Sequence, residues 1–248
     1  MSEVPRAPTA PSPSAFLARS AEILGTLGQE LFGLLLGLFV GLSFAALVST
    51  FGPDPEVDRR LLIAIGPLSM GVAGLVYWLV LDRALNAGAV PRHLPGTPMS
   101  WGRTAAWISG LALILVVGST LVGALAGLLG WTVEEQKSVT EILTIRDGRL
   151  SAEAWVLIPA AVFGAPIVEE VLFRFLLFRR LLHTTRPAVA YLVSALAFGL
   201  VHNNPTGLPV YMLQGLIFAG VYAKTGRLGA AIAVHFLNNL ITVGIALS

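Results

Sequence analysis

The chain has 248 residues, 55% of them hydrophobic and only 12% charged, and its mean hydropathy is +0.79. Soluble domains carry about 25% charged residues, so this composition excludes an ordinary soluble domain and describes a membrane protein. The net charge of +2, with no basic cluster or aromatic stacking platform, gives no footing for nucleic-acid binding, and the absence of cysteine removes thiolate nucleophiles, cysteine-ligated zinc and disulfides.

Met1–Ser14 is rich in Pro, Ala and Ser and is expected to be a disordered tail. It does not read as a signal peptide, because the apolar run that follows starts too late and is too long. Ala15–Glu30 reads as an interfacial helical lead-in. Three uncharged runs follow, Leu31–Phe51, Leu61–Leu81 and Ala105–Trp131. Each can cross a hydrocarbon core of about 30 Å as a helix. Thr132–Glu153 is a connection of mixed charge with room for a short amphipathic helix. Trp155–Phe178, Ala188–His202, Leu208–Ala223 and Leu228–Leu247 complete the set, the second and third of these being short. The expectation is an all-α, polytopic bundle of about seven spans, or eight if Ala15–Glu30 inserts. It divides into the tail 1–14, N-terminal transmembrane helices 15–150 and a core 151–248.

For seven spans, ten Lys and Arg fall on the N-terminal side (Arg6, Arg19, Arg83, Arg92, Arg103, Arg179, Arg180, Arg186, Lys224 and Arg227). Five fall opposite (Arg59, Arg60, Lys137, Arg146 and Arg149), which places the N-terminus in the cytoplasm. The Ala/Gly/Leu-rich chain points to a bacterial inner membrane. Gly33, Gly37 and Gly41, and again Gly123 and Gly127, recur every four residues and permit close helix packing.

The ionisable residues expected at membrane depth all lie after residue 165: Glu169, Glu170, Arg174, His202 and His235. A charge at mid-bilayer costs roughly 2.5–3.5 kcal/mol on insertion scales, so such groups normally face the protein interior or a wet cavity. At about 1.5 Å rise per residue, Glu169 lies roughly 14 Å and His235 roughly 10 Å below the cytoplasmic face, and His202 about 21 Å from the start of its span. They can meet at mid-depth. Glu170 and Arg174 stand four apart and can pair, while Glu169 points about 100° away, free for another partner. His235 and Asn239 share a face, as do Phe198 and His202. His93 and His183 read as solvated residues of connections.

A carboxylate, two imidazoles and an amide suffice for hydrolysis by activated water. A Glu in a low-dielectric cavity is a better general base, and an imidazole and a carboxamide can donate to an oxyanion. No nucleophile motif such as G-x-S-x-G is present. Each residue also has a plain structural reading: Glu170–Arg174 as an intrahelical pair, His202 as a cap before "NNPTGLP", His235 as an interhelical bridge. Two His and two Glu could instead hold zinc, although no HExxH occurs and the set is spread over three segments.

"EEVLFR", "FGLVH" and "HFLNN" fit EExxxR, FxxxH and HxxxN in that order on successive apolar segments. Together they resemble the signature of the CAAX-protease and bacteriocin-processing family of intramembrane proteases, over about Trp155–Leu247. The resemblance implies a metal-independent endopeptidase without a cofactor, acting on a membrane-associated or prenylated peptide or protein. It implies that Glu169 activates water with His202, that Glu170 and Arg174 set position and charge balance, and that His235 and Asn239 stabilise the oxyanion. Asn238 is distinguished from Asn239 only by the HxxxN spacing, and Asn203 and Asn204 could line the pocket. Two other classes remain: a non-catalytic immunity or scaffold protein that binds a partner in the bilayer, and a proton-relaying transporter. The transporter would be expected to show internal repeats, and the polar set is confined to one half.

Overall fold

The computed structural model describes residues 98–131 and 149–247 continuously, and elsewhere only isolated positions between 13 and 94 and Leu143. Most of the tail 1–14, of the spans Leu31–Phe51 and Leu61–Leu81, and of the connection Thr132–Glu153 therefore lies outside the described residues. Among the described residues every regular element is helical.

The helix α1, Trp101–Leu128, is apolar all round and buries only Thr104 and Leu115, as expected of a helix whose surroundings are lipid. Residues 152–184 then form one unbroken helical rod in five parts: α2 (Ala152–Pro159), a π segment (Ala160–Gly164), α3 (Ala165–Glu170), a second π segment (Val171–Phe178) and α4 (Arg179–Thr184). Ser151 caps its start by accepting from the Ala154 amide, and Glu153 sits in the first turn, where the positive end of the helix dipole favours it. Then come α5 (Pro187–Val201), α6 (Leu208–Thr225) and α7 (Leu228–Ala246).

Among the described residues, three helices are long and apolar enough to cross a membrane: Trp101–Leu128, Glu153–Thr184 and Leu228–Ala246. The rod is longer than the run Trp155–Phe178 expected from apolarity. Arg179 continues it because its stem stays in the bundle while Nε donates to Phe175 O at 2.7 Å and the guanidinium lies 4.2 Å from the Phe175 ring. His183, expected in a connection, is part of α4, and its Nε2 is buried.

The packing explains several small residues. A β-carbon on Gly215 would stand 2.8 Å from Ala195 Cα, so α5 and α6 touch almost backbone to backbone there. Gly71 lies against Val168, immediately before the glutamate pair, where a β-carbon would collide with the valine. Gly226 ends α6 in the left-handed region at φ 68°, the usual place for glycine. Beside it Met99 N–H donates to Thr225 O, and Arg227 grips Met99 O with Nε and Nη2 at 3.2 and 3.1 Å while stacking on Trp101. This clasp sets the start of α1 beside the α6–α7 turn. The core is built around Phe173, Phe178, Phe198, Phe218 and Val234.

Candidate functional site

Neighbouring residues on a helix point about 100° apart, and this divides the two glutamates. The Glu170 side chain is fully buried, whereas that of Glu169 keeps 23% exposure. Glu170 Oε2 lies 3.1 Å from Arg174 Nε, one turn on, close as an ion pair but poorly aligned as a hydrogen bond. Its Oε1 accepts from Nδ1 of His235 at 2.9 Å.

Arg174 is a fully buried cation, and such a charge is tolerated only when it is well surrounded. Its Nη2 donates to Gly215 O at 3.3 Å, and its guanidinium lies 4.5 Å from the Phe198 ring and 5.1 Å from that of Phe218. The negative faces of these rings add cation–π attraction. The same two rings hold His235, which is stacked on Phe218 at 4.5 Å and edge-on to Phe198 at 5.7 Å. His235 Nε2 faces Glu169 Oε2 across 3.9 Å. That carboxylate oxygen is buried without a hydrogen-bond donor among the described residues.

His202 ends α5. Its Nδ1 lies 2.7 Å from Phe198 O, and because a carbonyl can only accept, Nδ1 carries the hydrogen and Nε2 is the basic nitrogen of the neutral ring. Tyr211 stacks on the imidazole at 4.1 Å, and Phe198 packs against its other neighbourhood at 4.7 Å. Phe198 thus stands between the two histidines. Asn203 and Asn204, left by the sequence as possible pocket residues, serve the turn instead. Asn203 adopts φ 49°, and Asn204 Oδ1 accepts from Thr206 Oγ1 and Gly207 N–H at 2.8 and 3.1 Å.

Asn239 reaches away from the acidic pair in one respect: Nδ2 donates to Ala161 O at 2.8 Å, while Oδ1 accepts from Asn238 Nδ2 at 3.1 Å. The structure therefore joins Glu169, Glu170, Arg174 and His235 directly, ties His202 to them through Phe198, and brings Asn239 in beside the first π segment. Sequence reasoning missed the aromatic cage, the Gly215 carbonyl, the Tyr211 stack, and Ser194, whose Oγ donates to Phe173 O at 2.9 Å. The phenylalanine of FxxxH was the available signal for the cage; Tyr211 and Ser194 carry none.

An apolar groove of ≈ 310 Å³ opens between the rod and α7, walled by Phe163, Pro166, Ile167, Ile232 and Phe236. It lies on the same two elements as Glu169 and His235. Among the described residues no three His, Asp or Glu converge as a metal site would require.

Residues 151–241 match the type II CAAX prenyl endopeptidase Rce1-like family. The chain is 28% identical over 214 residues to the candidate membrane peptidase YdiL of Bacillus subtilis (strain 168), covering 83% of this chain and 84% of that protein. It is 36% identical over 80 residues to the membrane-embedded CAAX protease MroQ of Staphylococcus aureus (strain USA300), covering 30% of this chain and 32% of that one. No solved structure matches.

Proposed function

From a chain whose residues 151–241 match the CAAX prenyl endopeptidase Rce1-like family and which is similar to membrane proteases, we propose that it cleaves a peptide bond by glutamate-activated water, without a metal. The observation that carries the reading is the approach of Glu169 Oε2 to His235 Nε2 at 3.9 Å beside a core built mainly of apolar and aromatic side chains.

In this reading Glu169 takes a proton from water, assisted by the basic Nε2 of His202. The water oxygen bonds to the substrate carbonyl carbon. The resulting oxyanion accepts hydrogen bonds from His235, which can donate from Nε2 when that nitrogen is protonated, and from the Asn239 amide. Collapse breaks the C–N bond, and Glu169 passes its proton to the departing amine. Glu170 and Arg174 do no chemistry: they fix the ring of His235 and neutralise charge in a medium that solvates neither. Exclusion of bulk water makes each of these donors count for more than it would in solution.

The substrate in this reading is a membrane-associated peptide or protein segment, with a prenylated C-terminus as one form. The groove lined by Phe163, Ile167, Ile232 and Phe236 supports lateral approach of an apolar segment from the bilayer. The Ala/Gly/Leu-rich composition supports a bacterial inner membrane, and the charge bias supports an N-terminus in the cytoplasm. The test is hydrolysis by the purified protein in detergent of a farnesylated CAAX peptide and of its unprenylated twin. Cleavage of either by wild type and of neither by Glu169→Gln supports the mechanism; equal cleavage by both proteins overturns it. Preference for the farnesylated twin supports the prenyl substrate.

A further inference from the structure

The chemistry above gives no reason for the hydrogen bond between Asn239 and Ala161. In the first π segment the Ala165 amide donates to Ala160 O, five residues back instead of four. The next donor in that register falls on residue 166, which is proline and has no N–H. The carbonyl it would have met is Ala161 O, which instead receives Nδ2–H of Asn239 from α7 at 2.8 Å. Asn238 donates to Asn239 Oδ1 and so fixes which end of the amide faces the carbonyl. A carboxamide has two N–H hydrogens. Ala161 holds one, and the other stays available to an acceptor in the site.

We propose that Pro166 is a positioning residue: by withholding an amide hydrogen from the Ala161 carbonyl, it reserves that carbonyl for Asn239. The amide is thereby clamped, and α7 with it, against the rod that carries Glu169 and Glu170. An added residue in a π turn rotates everything beyond it by about 100°, so the clamp also holds the register that turns Glu170 towards His235. The inference rests on the reading of Asn239 as an oxyanion donor, but its structural half does not.

The test is a double-mutant cycle on the full-length protein in detergent: wild type, Pro166→Ala, Asn239→Ala and the double variant. Each is read by melting midpoint and by kcat and KM on the farnesylated CAAX peptide. Asn239→Ala strips a part-buried carbonyl of its donor and lowers the midpoint by about 5 °C. Adding Pro166→Ala supplies a backbone N–H, and the double variant regains most of that loss. Pro166→Ala alone keeps the wild-type midpoint, yet lowers kcat about tenfold with KM within about twofold, and the double variant is no slower than Asn239→Ala. Melting losses that add, or a Pro166→Ala enzyme with wild-type kcat, overturn the proposal. If Asn239→Ala is not recovered folded, Asn239→Ser replaces it, and rescue of folded yield by Pro166→Ala is read in the same way. The melting cycle involves no hydrolysis, so it separates this clamp from the protease reading.

Discussion

Glu170 and His235 meet across 2.9 Å, with the carboxylate accepting from Nδ1 of the ring. This contact ties the rod to α7 and turns the opposite nitrogen of the ring towards Glu169. One glutamate therefore holds the histidine, and its neighbour faces it.

The two glutamates should fail differently. Glu170→Ala leaves Arg174 buried without its counter-charge and His235 without its anchor, a loss of about 3–5 kcal/mol by analogy with broken buried pairs. Glu169→Gln keeps the shape of a partly buried side chain, and its folded yield and melting midpoint should match wild type. Size-exclusion profiles and melting in detergent check the contrast.

Arg174→Lys keeps the charge but loses the planar group that reaches Gly215 O and lies on Phe198 and Phe218. The expected cost is about 1–2 kcal/mol, with activity falling at least as far because His235 shares both rings. A lysine variant as stable and active as wild type would show that charge alone matters at this position.

Gly215→Ala drives a β-carbon to 2.8 Å from Ala195 Cα, a backbone atom that cannot rotate aside. The helices α5 and α6 must part, carrying the Gly215 carbonyl from Arg174, at a cost of about 1–3 kcal/mol. Gly220→Ala, five residues later on α6, meets nothing within 4 Å and should be neutral. The pair of melting curves isolates close packing from any general effect of replacing glycine.

Metal independence is the remaining chemical commitment. Prolonged treatment with EDTA or 1,10-phenanthroline, followed by removal of the chelator, should leave the rate of peptide cleavage unchanged. Loss of activity restored by added zinc would return the His and Glu residues to the role of ligands.

The ion pair Glu170–Arg174, the shared face of Phe198 and His202, and the separation of Glu169 from Glu170 were all legible in the sequence, because helical spacing alone determines them. The span of α1 was legible from length instead, because the uncharged run Ala105–Trp131 leaves few alternatives to a crossing helix. The end of the rod was not, since Arg179 carries a formal charge that its hydrogen bond to Phe175 O and its ring contact accommodate inside the bundle. The π segments were invisible to periodicity, which cannot register one added residue, although Pro159 and Pro166 mark where the regular ladder must fail. Asn239 was placed correctly on the face of His235, but its bond to Ala161 depends on the π register and could not be read from spacing.

The most direct test of the central claim is a comparison of new peptide termini in membranes that contain wild-type protein or Glu169→Gln at matched levels. Glutamate-activated proteolysis predicts termini that appear with wild type and are absent with the variant, and their sequences would name substrates. Identical termini in the two membranes, with both proteins inserted and folded, would contradict it and favour a protein that binds a partner in the bilayer without cutting it.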